Sequence, residues 1–341
     1  MKDPFSPDEV KIAVIGGGTG SFTLLTALKT HTSRIAALVN MADDGGSTGQ
    51  LRDELGVLPP GDVRQCLVAL SNTPKLRDLF NYRFEEGSLE GHAFGNLFLT
   101  ALEKMTGSFA DGVELASEVL GITGVVEPMT HTPVTLIWTD KNGQEMRGEW
   151  QIANADFGDE PPALTLDPAG EISSRAAKAI EMADLVVIAP GNLYGSLAPA
   201  LIVSGVGEAL QKSKAVKLYV CNLMTKPGQT DGFTVNDFAA EIERLAGSEF
   251  LDAVIYNTEA PSPELMDRYG KEGEASVGFD DRTLSSQHYR AYGANLLSNK
   301  IWQNPNSSDP IASHRTLIRH NPHAVARAIM KAYKTEVRSR E

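Results

Sequence analysis

The stretch Lys11-Ile12-Ala13-Val14-Ile15-Gly16-Gly17-Gly18-Thr19-Gly20-Ser21 decides the fold class. An apolar run passes into a glycine turn and then into the helical pattern Leu24, Leu25, Ala27, Leu28. Strand, tight turn and helix in that order place backbone N–H groups where they point at a phosphate. The pattern recurs at once, because Ile35-Ala36-Ala37-Leu38-Val39 runs into Asn40-Met41-Ala42-Asp43-Asp44-Gly45-Gly46-Ser47-Thr48-Gly49. Together the two units predict the nucleotide-binding edge of a parallel sheet in an α/β protein.

The dinucleotide fingerprint asks for G-x-G-x-x-G, and here Gly16, Gly18 and Ser21 hold those places. A small Ser still allows close helix packing, and Asp43 stands about where a ribose-binding acid is expected. A second acid and a second glycine loop do not belong to that pattern. A nicotinamide-dependent oxidoreductase is disfavoured on these grounds and by the lack of a convincing acid for a hydride site.

Length and composition set the outer bounds. The 341 residues are 42% hydrophobic, enough for a sizeable core. A net charge of −13 argues against a general nucleic-acid surface, which needs a basic face. Cys66 and Cys221 lie far apart in apolar segments without metal spacing, as expected of buried thiols in a reducing compartment. Met1 to Val10 is polar and acidic, unlike a signal peptide, and no apolar run approaches the ~20 residues a bilayer requires. A cytoplasmic protein without membrane insertion is expected.

Downstream, Leu51 to Leu55, Val63 to Leu70, Lys75 to Phe84, Ala93 to Met105 and Asp111 to Leu120 read as a helical block over 51–121. Asp62 is placed as the N-cap of the Val63 helix, or else as a ligand group. Two alternating runs, Pro133 to Thr139 and Glu145 to Ile152, flank Asn142-Gly143 and predict a β-hairpin elaboration within 125–152. Parallel rhythm resumes with the all-apolar Leu185 to Ala189, then Val216 to Val220 and Leu251 to Tyr256. Residues 271–310 read as long loops, and Asn321 and Pro322 open a final helix through Tyr333. One Rossmann-like domain over 1–341 accommodates all of this, with both elaborations inserted.

In open α/β sheets the ligand sits beyond the carboxyl ends of the strands. The loops there carry Gly17, Gly18, Thr19, Gly20 and Ser21; Asp43, Asp44, Gly45 and Gly46; Gly191, Asn192 and Tyr194; and Asn222, Lys226, Thr230 and Asp231. Adjacent Asp43 and Asp44 point to opposite sides in extended backbone, so one faces a ligand or Mg²⁺ while the other caps a turn, or both serve turns. Asp43, Asp44 and Asp62 are the candidate catalytic acids, and Asp43 and Asp44 the candidate metal ligands. Arg64 opens a helix, where a cation gains nothing from the dipole; it meets an anionic partner or stays solvated. His92, in Gly91-His92-Ala93-Phe94-Gly95-Asn96, is a base, a phosphate donor or a packed side chain. Lys226 is a phosphate-binding ammonium or an exposed lysine. Tyr194 and Tyr269 stack on a base or sugar, or belong to the core.

Six segments carry a family resemblance: Ile15 to Gly20, Ala42 to Arg52, Leu58 to Leu67, Gly91 to Asn96, Pro190 to Tyr194 and Cys221 to Phe233. With them the chain resembles the YvcK family of gluconeogenesis factors, in the superfamily of the 2-phospholactate transferases of deazaflavin cofactor synthesis. The resemblance covers about 11–270 plus Leu317 to His320. It implies a Rossmann-like three-layer α/β/α fold with a mostly parallel sheet. It also implies binding of a UDP-sugar, UDP-N-acetylglucosamine or UDP-glucose, and a regulatory role in carbon metabolism, cell wall and cell shape. By the same resemblance Tyr269 and Arg319 are tied to the nucleotide-sugar, with Asn96 in a shared motif. A homo-oligomer fits the expectation; a downstream protein partner is not indicated. No resident cofactor is implied beyond Mg²⁺ arriving with nucleotide. The alternative is a Mg²⁺-dependent transferase that uses a nucleoside-diphosphate-activated donor.

Overall fold

Alternate residues of the central strands go to opposite faces of one sheet, and each face is covered. In β1 (Ile12–Gly16), Ile12 and Val14 join one buried cluster while Ala13 and Ile15 join the other. Period-2 strands buried on both faces need apolar residues at every position, which explains the unbroken runs of the sequence. The computed structural model describes residues 10–158, 161–298 and 317–340. The expectation for Met1 to Val10 therefore lies, apart from Val10, outside the described residues.

From β1 the chain passes through α1 (Gly18–Leu28) to β2 (Ile35–Val39). A helical block follows: α2 (Gly46–Leu55), α3 (Pro60–Leu70), α4 (Pro74–Asn81), α5 (Phe94–Thr106) and α6 (Phe109–Leu120). Then come β3 (Val125–Pro128), β4 (Thr135–Thr139), β5 (Glu145–Arg147), α7 (Glu149–Ala153) and β6 (Ala163–Asp167). The βα rhythm resumes with α8 (Ser174–Met182), β7 (Leu185–Ile188), α9 (Ala198–Leu201), α10 (Val206–Lys212) and β8 (Val216–Val220). It closes with α11 (Val235–Ala246), β9 (Ala253–Asn257), α12 (Pro263–Lys271), α13 (Asp281–Ser285), β10 (Arg290–Ala294) and α14 (Pro322–Arg340).

Among the described residues the main sheet has seven strands in the order β10-β9-β8-β7-β1-β2-β3, every pair parallel. Leu24, Leu28, Val63, Leu67, Phe109 and Ile329 cover one face; Ile180, Leu197, Leu210, Phe238 and Ile242 cover the other. The fold is thus a three-layer, Rossmann-like α/β/α sandwich. Each fully buried Leu or Ile in it contributes about 1.5–3 kcal/mol against exposure.

Several expectations are corrected. Val125–Pro128 pairs with β2 as an edge strand of the main sheet and is no part of the hairpin. The hairpin β4/β5 exists, but its second arm stops at Arg147, because Gly148 turns at φ 106° and Glu149–Ala153 becomes helical. A third strand, β6, completes that small sheet. Helix α2 starts at Gly46, so the end of the second glycine loop is its first turn. Helix α3 starts at Pro60 with Pro59 at the cap, which puts Asp62 inside the first turn instead of at the N-cap. The presumed loops of 271–310 contain α13 and β10; 299–310 lie outside the described residues.

Candidate functional site

Strand β1 sits between β2 and β7. From it the chain builds first toward β3 and later, through β7, toward β10, which makes the β1/β7 boundary a topological switch point. A cleft of about 600 Å³ opens beyond the carboxyl ends of these two strands. Its walls are Gly17, Thr19 and Gly20 after β1, Pro190 to Leu193 and Ser196 after β7, and Asn222 to Lys226 with Thr230 after β8. Glu272, Glu274 and Ile318 to His320 close the far side.

Close packing shapes the glycine wall. A Cβ on Gly20 would collide with the Pro190 carbonyl oxygen, and one on Gly17 with the Asp62 carboxylate. Only glycine lets the two strand-end loops touch and leaves the start of α1 bare toward the cleft. Asn222 ties the opposite loop down, donating from Nδ2 to the Gly191 carbonyl at 2.7 Å and accepting the Gly191 N–H at 3.3 Å. Asn192 accepts the N–H groups of Tyr194 and Gly195, at 3.2 and 3.0 Å, and so begins the turn that follows.

Lys226 reaches the cleft half-buried. Its Nζ donates to the Ala153 carbonyl. Burial lowers its pKa, against the opposing pull of Glu149 and Glu274. The Thr230 hydroxyl accepts the Lys226 N–H at 2.7 Å, and Asp231 accepts the Gly228 N–H, so these two side chains close the loop that presents the lysine. At the far wall His320 is pushed down to about 4 by burial, with the Cys221 carbonyl pulling the other way. It is a neutral imidazole at pH 7.

The second glycine loop stands at the same sheet edge but outside the cleft lining. Asp43 accepts the Gly45 N–H at 3.0 Å, an Asx turn. Asp44 reaches away and caps α7, accepting from Glu149 N at 3.1 Å and Trp150 N at 2.8 Å. Gly45 is the N-cap of α2, and Gly46 is exposed. Ser47 Oγ lies 2.9 Å from His92 Nδ1 and accepts from Asn96 Nδ2 at 3.3 Å. Arg64 is buried and donates to Asn96 at 2.9 Å and Asn81 at 2.7 Å. His92, Asn96 and Arg64 thus form a bonded network behind the second loop, and the solvated alternative for Arg64 does not hold.

Between cleft and second loop lies a group of acids, Asp62 buried and Asp43 and Glu149 half-buried. Burial raises Asp43, with Asp44 adding to the effect. Asp62 is pushed up to about 8 by burial and then by Asp43, while the Gly18 N–H and Arg64 pull it down. Glu149 is raised well above the carboxylate range by burial and by Asp43, Asp62 and Asp44. Sequence reasoning missed Glu149 because it was assigned to a strand arm. It also missed Asn154, Glu272 and Glu274, which no local motif marks as cleft residues, and His320, which stands in the matched Leu317 to His320 segment but was given no role.

Neither tyrosine is placed to stack. Tyr194 is buried in the core against Phe157, ring centroids 5.1 Å apart. Tyr269 is 6% exposed and its hydroxyl faces the backbone of Leu317 and Ile318. Ser21 is buried in α1. Among the described residues no helix is long and apolar enough to cross a membrane, and no group of three or more His, Cys, Asp or Glu is arranged to hold a metal.

A doubly wound parallel sheet with a glycine-walled cleft at its switch point defines a Rossmann-like α/β protein. Residues 12–297 match the family model of the 2-phospho-L-lactate transferase CofD. The chain is 42% identical over 328 residues to a putative gluconeogenesis factor of Nostoc sp., covering 95% of this chain and 68% of that protein. It is 37% identical over 327 residues to the gluconeogenesis factor of Bacillus subtilis, covering 95% and 98%. The crystal structure of a UPF0052 family member from Bacillus halodurans superposes with a TM-score of 0.84 at 36% identity, covering 94% of this chain and 99% of that one. The chain belongs to the CofD family and, within it, to the gluconeogenesis factors.

Proposed function

We propose that this chain is a cytoplasmic UDP-sugar-binding regulator of carbon metabolism, cell wall and cell shape, and that the switch-point cleft holds the ligand. The observation that carries the proposal is the composition of that cleft. Bare helix-start backbone at Gly17 to Gly20 faces Gly191, with Lys226 and Arg319 as cations on the other walls. Such a site suits a diphosphate. The carboxylates of Glu272 and Glu274 suit the hydroxyls of a sugar. UDP-N-acetylglucosamine is the ligand we favour. Native mass spectrometry of protein purified from cells tests this: retained UDP-sugar supports it, and retained nicotinamide dinucleotide overturns it.

A second reading is a transferase using a nucleoside-diphosphate-activated donor, favoured by the CofD match and by Asp62 beside Gly17 and Gly18, with Asp43 near it. The donor set fits Mg²⁺, since the ion takes one or two carboxylates together with phosphate oxygens. Asp43 and Asp62 would hold it; both Asp44 oxygens already accept backbone N–H groups. When bound, the ion would neutralise charge on the phosphates.

A further inference from the structure

We propose that Tyr269 is a positioning residue: its hydroxyl pegs the backbone of Leu317 and Ile318 and thereby aims Arg319 into the cleft. The proposal rests on that cleft being the UDP-sugar site. Tyr269 lies on α12 with its ring in a small apolar cluster with Leu223 and Ile318. The cleft wall passes from Glu272 and Glu274 to Ile318, Arg319 and His320, with the tyrosine behind it. The phenol oxygen accepts the Leu317 N–H at 2.5 Å and the Ile318 N–H at 3.1 Å. One oxygen thus satisfies two consecutive backbone donors just ahead of Arg319.

The next residues are held from the other side. Ser298 N–H donates to the Arg319 carbonyl at 2.8 Å, and Asn321 N–H to the Leu296 carbonyl at 2.7 Å. Arg319 therefore hangs from a short backbone segment fixed at both ends, and at the Tyr269 end the fixing is by a side chain. An arginine contributes to anion binding when its fork is held in place, because the ordering cost is then met before the ligand arrives. A ring with 6% exposure has no free face for a nucleobase. The hydroxyl, not the aromatic surface, is what the cleft needs from this residue.

Tyr269→Phe removes that oxygen alone and keeps the packing. The ligand-free protein is first examined by hydrogen–deuterium exchange with single-residue reading of 317 and 318. Exchange there should speed up about tenfold or more in the variant, the loss of one hydrogen bond's worth of protection. Affinity for UDP-N-acetylglucosamine should weaken about tenfold, and in an Arg319→Ala background the same change should cost less than about twofold, since residues acting through one another are not additive. Unchanged exchange at both amides overturns the peg. Faster exchange with wild-type affinity, or factors that multiply in the double variant, overturns the positioning of Arg319. If the wild-type chain does not bind UDP-N-acetylglucosamine, the proposed ligand fails separately, and exchange at Leu317 and Ile318 alone decides for or against the peg.

Discussion

The Asp44 carboxylate takes the backbone N–H of Trp150 at 2.8 Å, across 106 positions of sequence, and so joins the loop after β2 to the first turn of α7. The second oxygen takes Glu149 N. An acidic side chain satisfies two of the orphan donors of the helix start and complements its dipole. The cap also holds Glu149 beside Asp43 and Asp62, so the acid group depends on it.

Asp44→Ala should destabilise the fold by about 1–2 kcal/mol, the usual cost of a lost N-cap. Chemical denaturation measures this directly. A midpoint unchanged from wild type would show that α7 needs no cap.

Stability should fall as pH rises from about 4 to about 8. Asp62 has a folded pKa near 8, against about 3.9 for an unperturbed Asp. In that window the folded state holds a proton that the unfolded chain releases, so deprotonation favours unfolding. Asp43 and Glu149 shift in the same direction. Melting temperatures of the wild type and Asp62→Asn, taken from pH 5 to 9 with EDTA, should converge at low pH and separate at high pH, with the variant the more stable. Parallel curves would contradict this.

Gly20→Ala should cost about 1–3 kcal/mol, because the added methyl meets the Pro190 carbonyl, a backbone group that cannot step aside cheaply. Gly45→Ala is the control: its Cβ would meet Asp43 and Trp150 only at ordinary contact distances of 3.5 and 3.6 Å. Equal melting temperatures for the two variants would show that the close approach of Gly20 to Pro190 does not constrain the fold.

A regulator should leave UDP-N-acetylglucosamine intact for hours, with or without Mg²⁺. Chromatography of the nucleotides checks this. Stoichiometric, metal-dependent UDP release that vanishes in Asp43→Asn or Asp62→Asn would establish the transferase, because the ion's main effect falls in the transition state.

The parallel sheet was legible because buried strands need continuous apolar runs, and Ile12 to Ile15 and Leu185 to Ile188 supply them. What escaped depends on contacts distant in sequence. Glu149 to Ala153 alternates well enough for a strand, and its helix is decided by Gly148 and by the Asp44 cap from the other side of the fold. Arg290 to Ala294 is an edge strand with only intermediate or exposed residues, so it lacks the apolar signal of its neighbours. The glycine wall of the cleft could be read locally. Its far wall, from Glu272 to His320, is assembled only by tertiary packing. Nor does local pattern tell a stacking tyrosine from a pegging one, since the distinction lies in which backbone amides meet the hydroxyl.

In the proposed function the switch-point cleft binds a UDP-sugar through Arg319 and the glycine wall. Isothermal titration calorimetry of the purified chain with UDP-N-acetylglucosamine tests it most directly. The expected result is one site per chain, affinity lowered by about 1.5–3 kcal/mol in Arg319→Ala, the range for a hydrogen bond to a charged group, and no measurable heat with NAD. Absence of binding, affinity untouched in Arg319→Ala, or tighter binding of NAD would contradict it.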